Sequence, residues 1–135
     1  MKTIDPDPGK FAEALASIPG DQPVVMLNLL RFRDRAVYDG VESDCSGREA
    51  YQRYGEQAIA HLKRVGAELV WRGEARTALI APAEEVWDEI LLVRYPSIEK
   101  FVDMVKNSEY QQLAMHRTAA LENARLIASL ESGVP

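Results

Sequence analysis

Side chains that could do acid–base chemistry on a small molecule fall in three segments of the sequence. An asparagine interrupts an apolar run, two tyrosines stand three residues apart, and a later segment carries a tyrosine, a histidine and an arginine. Tyrosine and histidine can exchange protons with a substrate, and arginine can hold an anionic or enolate oxygen. The six candidate ligand-binding residues are Asn28, Tyr51, Tyr54, Tyr110, His116 and Arg117.

Each of these candidates also has a purely structural explanation. A buried amide left unpaired costs roughly 1 to 3 kcal/mol, so Asn28 needs a partner in the protein or in a ligand. Tyr51 and Tyr54 lie on the helix face that meets a sheet, where tyrosines serve as core residues or as pocket walls. Arg117 needs a carboxylate or an anionic ligand, and Asp88 and Glu89 could provide the carboxylate.

The sequence contains no motif for metal, thiol or phosphate chemistry. His61 and His116 lack a second ligand at metal spacing, and acidic neighbours disfavour a thiolate at Cys45. There is no glycine-rich phosphate loop and no Ser-His-Asp or Cys-His set. We therefore expect a protein without metal, haem or other cofactor, whose catalytic residues, if it has any, the sequence does not identify.

Composition indicates one globular domain with no electrostatic preference for nucleic acid or anionic membranes. The 135 residues are 47% hydrophobic and carry 16 basic against 21 acidic side chains, a formal charge of −5. A short basic run, Arg31, Arg33 and Arg35, is either a solvated strand end or an anion site. The single cysteine fits a reducing compartment, and the N-terminus lacks the apolar core of a signal peptide, which predicts a cytoplasmic protein.

The first half of the chain predicts helix, strand, loop and helix. Asp7-Pro8 starts a leading helix that Pro19-Gly20 ends, and Val24–Phe32 forms a strand. A polar loop follows, from Arg33 to about Cys45. The capping box at Ser46 begins the next helix, and Gly66 ends it in a left-handed cap.

The second half predicts the rest of a split βαβ pattern. Strand material is expected at Glu68–Arg72 and Thr77–Ala81, around Gly73, and again at Val86–Tyr95. A helix capped by Ser97, a helical or irregular stretch at Ser108–Leu121, and a last strand at Ala124–Leu130 complete the chain. Without the leading helix, the order is βαββαβ, which predicts an α+β ferredoxin-like fold with an antiparallel sheet.

Apolar residues on both faces of two strands predict a homodimer. Val24–Phe32 and Ile90–Val93 are apolar at successive positions, whereas a sheet with helices on one face normally alternates with polar residues. Exposing such a face would invite association, so a second sheet from a second copy is the simplest cover.

Five segments, taken in order, resemble a known family. They are VVMLNLLRFRDRA, AYQRYG, VGAELVWRGEA, WDEILLVRYPSIEKF and NSEYQQLAMHRTAAL. Together they are similar to the domain-of-unknown-function family 1330 of the dimeric α/β-barrel superfamily. Asn107-Ser108-Glu109-Tyr110 replaces the family's Ser-Pro-Glu-Tyr, and Val65-Gly66 replaces its Gly-Gly. The resemblance runs from about Pro23 to Leu130 and implies a ferredoxin-like fold and a homodimer. We expect residues 1–135 to form one domain, with residues 1–22 as an N-terminal helical extension.

The resemblance leaves function open, because the superfamily contains monooxygenases, isomerases, haem enzymes and ligand-binding domains. One hypothesis is a cofactor-free enzyme, monooxygenase- or isomerase-like, acting on a small organic molecule. The alternative is a non-catalytic dimer that binds a small molecule or a partner protein. In either case we expect some of the six candidate residues to line a pocket between sheet and helices.

Overall fold

A four-stranded antiparallel sheet, flanked by helices, organises the computed structural model, which describes residues 1–132. The last three residues of the predicted domain lie outside the described residues. The elements are α1 Pro8–Ala16, β1 Val24–Phe32, β2 Val37–Tyr38, β3 Val41–Glu42, α2 Gly47–Arg64, β4 Glu68–Glu74, β5 Glu89–Tyr95, α3 Ile98–Lys106, α4 Ser108–Ala120 and β6 Leu121–Ser129. The strand order is β4-β5-β1-β6, and all neighbours are antiparallel. Apart from α1 and the β2–β3 hairpin, this is the predicted βαββαβ order, with its second helix divided into α3 and α4.

Local capping explains where the helices begin and end. The Asp7 side chain accepts hydrogen bonds from the backbone at the start of α1, and Ser46 and Glu49 form a reciprocal capping box on α2. Gly66 adopts φ of +76°, a conformation that glycine reaches without the steric penalty of a Cβ, directly after α2. Among residues 1–132, no helix is both long enough and apolar enough to span a lipid bilayer.

The two faces of the sheet have different surroundings. Val24, Met26 and Leu30 of β1 are buried under the helices, and their partners across β5 are Tyr95, Val93 and Glu89. The alternate positions form what we call the open face. It is apolar, only partly buried by this chain, and made of Val25, Leu27, Leu29, Trp71, Ile90, Leu92 and Ile127.

The segment between β4 and β5 differs from the sequence prediction. The expected strand at Thr77–Ala81 is absent, and Leu79 and Ile80 are 92% and 98% exposed. β5 already pairs with Glu68–Glu74 of β4 on one side and with β1 on the other, so this segment cannot pair with β5. β5 also begins at Glu89, three residues later than predicted.

The predicted polar loop after β1 contains a small hairpin. β2 pairs with β3, and the residues between them, Asp39 and Gly40, have φ of +49° and +78°. Two successive positive φ angles are those of a type I′ turn, for which Asp-Gly is a preferred sequence. Val37, Tyr38 and Val41 are too few to produce a recognisable strand period in the sequence.

Candidate functional site

Two helices bring three of the candidate tyrosines together above the sheet. The Tyr54 and Tyr110 hydroxyl oxygens lie 2.5 Å apart, and the Tyr51 and Tyr54 ring centroids are separated by 5.3 Å. Helical spacing places Tyr51 and Tyr54 on one face of α2, and Asn107 caps α4 by accepting a hydrogen bond from the Tyr110 amide. We call Tyr51, Tyr54 and Tyr110 the tyrosine cluster.

Burial makes Tyr51, Tyr54 and Tyr95 weaker acids than a tyrosine in water. Removal from water raises the pKa of Tyr51, Tyr54 and Tyr95 above the usual value of 10.0. The neighbouring Tyr110 hydroxyl raises the pKa of Tyr54 further, whereas the positive charge of Arg117 opposes the shift at Tyr51 and Tyr54. These hydroxyls therefore stay protonated at physiological pH and act as hydrogen-bond donors rather than as bases.

The Arg117 side chain contacts the N-terminal segment of the chain. Its Nη1 donates a hydrogen bond of 2.9 Å to the Ile4 carbonyl oxygen and lies 3.9 Å from Asp5 Oδ1. The side chain is 17% exposed, so most of it is out of water. The carboxylates considered from the sequence are engaged elsewhere: Asp88 Oδ2 accepts a hydrogen bond from the Phe32 amide, and Glu89 pairs with Arg72.

Asn28 and His116 have partners within the chain. Asn28 is half-buried on the helix-facing side of β1, and its Nδ2 donates to the Met26 carbonyl oxygen at 3.3 Å. His116 Nδ1 and the Tyr38 hydroxyl are 2.6 Å apart, which ties α4 to the β2–β3 hairpin. His116 also lines an open cleft of about 330 Å³ with Gln57, His61, Glu109, Gln112 and Leu113. The structure thus brings the three tyrosines into contact with one another, whereas Arg117 contacts the N-terminal segment and His116 contacts the hairpin.

A buried carboxylate, Glu89, was not among the residues selected from the sequence as a site. It is 6% exposed, its Oε1 accepts a hydrogen bond from Arg72 Nε at 3.1 Å, and Arg72 Nη2 completes the ion pair at 3.0 Å from Oε1. Its Oε2 is buried and has no hydrogen-bond partner within residues 1–132. Its negative charge contributes to the raised pKa of Tyr51, so the two groups belong to one region. The sequence does contain a sign that Glu89 is buried. Alternation along β5 places it on the same face as Leu91, Val93 and Tyr95.

The described part of the chain contains no group of three or more His, Cys, Asp or Glu side chains arranged to hold a metal ion. Cys45 is buried, with Ser43 Oγ at 3.3 Å and Arg53 Nη1 at 3.5 Å from its sulfur. The groups assembled above the sheet are therefore phenols, guanidinium groups and one carboxylate. This set can orient a small organic molecule and stabilise negative charge on one of its oxygens.

Family membership follows from a match over most of the chain. The model of DUF1330, a domain of unknown function, covers residues 37–129. The chain belongs to this family. The family and the ferredoxin-like fold expected from the sequence are both confirmed.

Solved structures agree with the assignment to DUF1330. A protein of unknown function from Rhodopseudomonas palustris is 37% identical, with all of both chains covered and a TM-score of 0.89. A dimeric protein of unknown function with a ferredoxin-like fold, from Bacteroides fragilis, is 11% identical over 82% of this chain and 98% of its own, with a TM-score of 0.52.

A third neighbour is an enzyme. SnoaB, a cofactor-independent oxygenase from Streptomyces nogalater, is 10% identical over 84% of this chain and 95% of its own, with a TM-score of 0.50. At this identity the likeness shows the fold alone. No curated protein matches the chain.

Proposed function

We propose that this DUF1330 protein is a cofactor-free enzyme that acts on a small organic molecule above the helix-facing side of its sheet. The observation that carries the proposal is the contact of three buried tyrosines between α2, α4 and the sheet, where the charge of the largely buried Arg117 opposes the raised pKa of Tyr51 and Tyr54. Buried phenols beside a guanidinium group favour a substrate that is anionic or becomes anionic during reaction. A fold shared with a cofactor-independent oxygenase is compatible with this chemistry.

The tyrosine cluster would supply hydrogen bonds to a developing oxyanion. Because their pKa values are raised, Tyr51 and Tyr54 hold their protons and can donate them in hydrogen bonds to an enolate oxygen. Arg117 would add positive charge at the same place. Loss of one such donor costs about 100- to 1000-fold in turnover in enzymes that stabilise oxyanions this way. Both a monooxygenase-like and an isomerase-like reaction can proceed through an enolate.

We further propose that the active form is a homodimer that needs no metal or other cofactor. The half-exposed apolar open face supports the dimer, and so does the dimeric state of the Bacteroides fragilis neighbour. Residues 1–135 would form one domain in which α1 is an extension: Phe11 packs against Phe101 with ring centroids 6.2 Å apart. The acidic composition argues against binding to nucleic acid or anionic membranes, and the single cysteine, which suits a reducing compartment, supports a cytoplasmic location.

One observation favours the alternative, a non-catalytic dimer that binds a small molecule or a protein. The polar groups of the cluster partly satisfy one another, because Tyr54 pairs with Tyr110 and Arg117 pairs with the Ile4 carbonyl. A binding protein needs only this polar lining and an apolar wall, with no turnover. Turnover of a ligand found by screening would decide between the two.

The test begins with a metabolite screen by thermal shift and continues with Arg117→Ala. We expect the variant to stay folded and to lose binding of the ligand that the screen identifies. Asp5→Asn is the matched control, since it removes the nearby carboxylate of Arg117 and leaves the guanidinium group in place. Equal loss of binding in both variants, or unfolding of Arg117→Ala with normal binding by Asp5→Asn, would contradict the proposed role of Arg117.

A further inference from the structure

Glu89 presents a buried hydrogen-bond acceptor that the rest of the described chain leaves unused. Its side chain is 7% exposed, and Oε2 has no partner within residues 1–132. A buried polar group without a partner carries its full desolvation penalty, and the penalty is larger for a charged group than for a neutral one. A ligand that donates a hydrogen bond to Oε2 would remove this penalty.

The pairing with Arg72 leaves that acceptor free. Arginine and carboxylate groups commonly pair through two parallel hydrogen bonds, one to each oxygen. Here both contacts of Arg72 are to Oε1: Nε donates a hydrogen bond at 3.1 Å, and Nη2 lies 3.0 Å from the same oxygen. Arg72 nevertheless balances the charge of Glu89, so the pair as a whole favours a neutral ligand over an ionic one.

The surroundings of Glu89 are apolar and aromatic. Glu89 pairs across the sheet with the fully buried Leu30, and Leu91 follows on the same face. Tyr51, whose pKa responds to the Glu89 charge, packs its ring at 5.4 Å from that of Phe32. Such walls suit a flat hydrocarbon ring that carries one polar group.

Access to Glu89 is from the side of β4. The Arg72 side chain is 59% exposed, whereas Glu89 behind it is almost fully enclosed. The residues of β4 are exposed along almost their whole length, so movement of Arg72 disturbs no packed core. A ligand can therefore approach Glu89 by displacing one exposed side chain, that of Arg72.

We propose that Glu89 Oε2 accepts a hydrogen bond from the hydroxyl group of a small neutral aromatic alcohol of the phenol or naphthol class. This inference rests on the proposed function, because it names the substrate class of the same site. Glu89 binds the hydroxyl of the substrate, and the hydroxyls of the tyrosine cluster remain available for an oxyanion that develops elsewhere on it.

The test compares 2-naphthol with 2-methoxynaphthalene by isothermal titration calorimetry on the full chain at pH 7. The two probes share a ring system, but only 2-naphthol can donate a hydrogen bond. A hydrogen bond to a charged acceptor makes binding roughly 10- to 100-fold tighter, so we expect a preference of this size for 2-naphthol. In Glu89→Gln the preference should fall to about 3-fold or less, because the amide can place its NH₂ group at the Oε2 position.

Glu74→Gln is the matched control. Glu74 lies opposite Glu89 on β4 but is 67% exposed and paired with Arg76, so its neutralisation should leave the 2-naphthol preference unchanged. Equal affinity of the wild-type protein for the two probes, or binding of neither at millimolar concentration, overturns the proposal. These wild-type measurements do not depend on how Glu89→Gln folds. If they fail while the metabolite screen and Arg117→Ala give their expected results, only the aromatic-alcohol class is wrong.

Discussion

Individual tyrosines in this protein were placed correctly by helical spacing, but their partners were not foreseeable. The three-residue step from Tyr51 to Tyr54 predicts one shared helix face, and the structure has both on the face that meets the sheet. The hydrogen bond to Tyr110 joins residues 56 positions apart, and the Arg117 bond to Ile4 spans 113. Such contacts depend on how elements pack, and no local pattern encodes them.

The buried tyrosines predict a loss of stability at alkaline pH. The pKa of Tyr51, Tyr54 and Tyr95 is raised in the folded chain, so above pH 10 the unfolded chain releases phenolic protons that the folded chain retains. Their contribution to stability is complete below pH 10 and declines as pH rises beyond it, by up to about 1.4 kcal/mol per pH unit for each tyrosine. Urea unfolding midpoints between pH 8 and pH 11 would measure this decline.

Tyr51→Phe is the control for the alkaline decline, because it keeps the packed ring and removes one titrating hydroxyl. We expect the decline above pH 10 to be shallower in this variant than in the wild-type protein, while the stabilities below pH 9 vary little with pH in both. Identical slopes above pH 10 would show that Tyr51 does not hold its proton in the folded state.

At the scale of elements, strands with partners and helices with caps were predictable, and unpartnered segments were not. The capping box at Ser46 and the glycine at position 66 predicted both ends of α2, and the nine-residue run Val24–Phe32 predicted β1. Thr77–Ala81 has the composition of a strand but lies between two strands that already pair with each other. Strand composition describes a side-chain surface that can be half-buried, and pairing depends on what the fold leaves free.

Substituting the glycine at the start of α2 tests whether the neighbouring backbone leaves room for a side chain there. Gly47 donates a hydrogen bond to the Arg33 carbonyl, and a Cβ at this position would overlap the carbonyl oxygens of Arg33 and Ala120. Backbone cannot yield as a flexible side chain can, so Gly47→Ala should cost about 1 to 3 kcal/mol or more. Thermal or urea unfolding would measure this loss.

Gly55→Ala in the same helix is the matched variant with the opposite expected sign. A Cβ at Gly55 meets nothing within 4 Å. Alanine is favoured over glycine inside a helix by about 1 kcal/mol, so this variant should be more stable than the wild-type protein. If Gly47→Ala were also stabilising, this result would contradict the close contact of α2 with the backbone of Arg33 and Ala120.

At the scale of the whole molecule, the proposed dimer depends on the open face. The chain covers one face of its sheet with helices and leaves the other half-exposed, although the second face is as rich in leucine and isoleucine as a core. The connection between β4 and β5 reaches the same face, because Glu85 and Trp87 both contact Arg125, the β6 partner of Leu29. Leu79 and Ile80, in this connection, add exposed apolar surface that a partner subunit could cover.

A charge placed on the open face should separate the two subunits. Ile127 lies opposite Leu27 on this face and is 50% exposed, whereas Ile59 on α2 is 51% exposed and lies away from the sheet. We expect the wild-type protein to show about twice the 15.1 kDa chain mass in light scattering at micromolar concentration.

Burying an isoleucine contributes roughly 1.5 to 3 kcal/mol, and a symmetric dimer contains the position twice. Ile127→Asp should therefore raise the dimer dissociation constant by at least about 100-fold, since each 1.4 kcal/mol is a factor of ten. Ile59→Asp makes the same change at the same exposure and should leave the mass at that of a dimer. A monomeric wild-type protein, or dissociation by Ile59→Asp and not by Ile127→Asp, would exclude the open face as the interface.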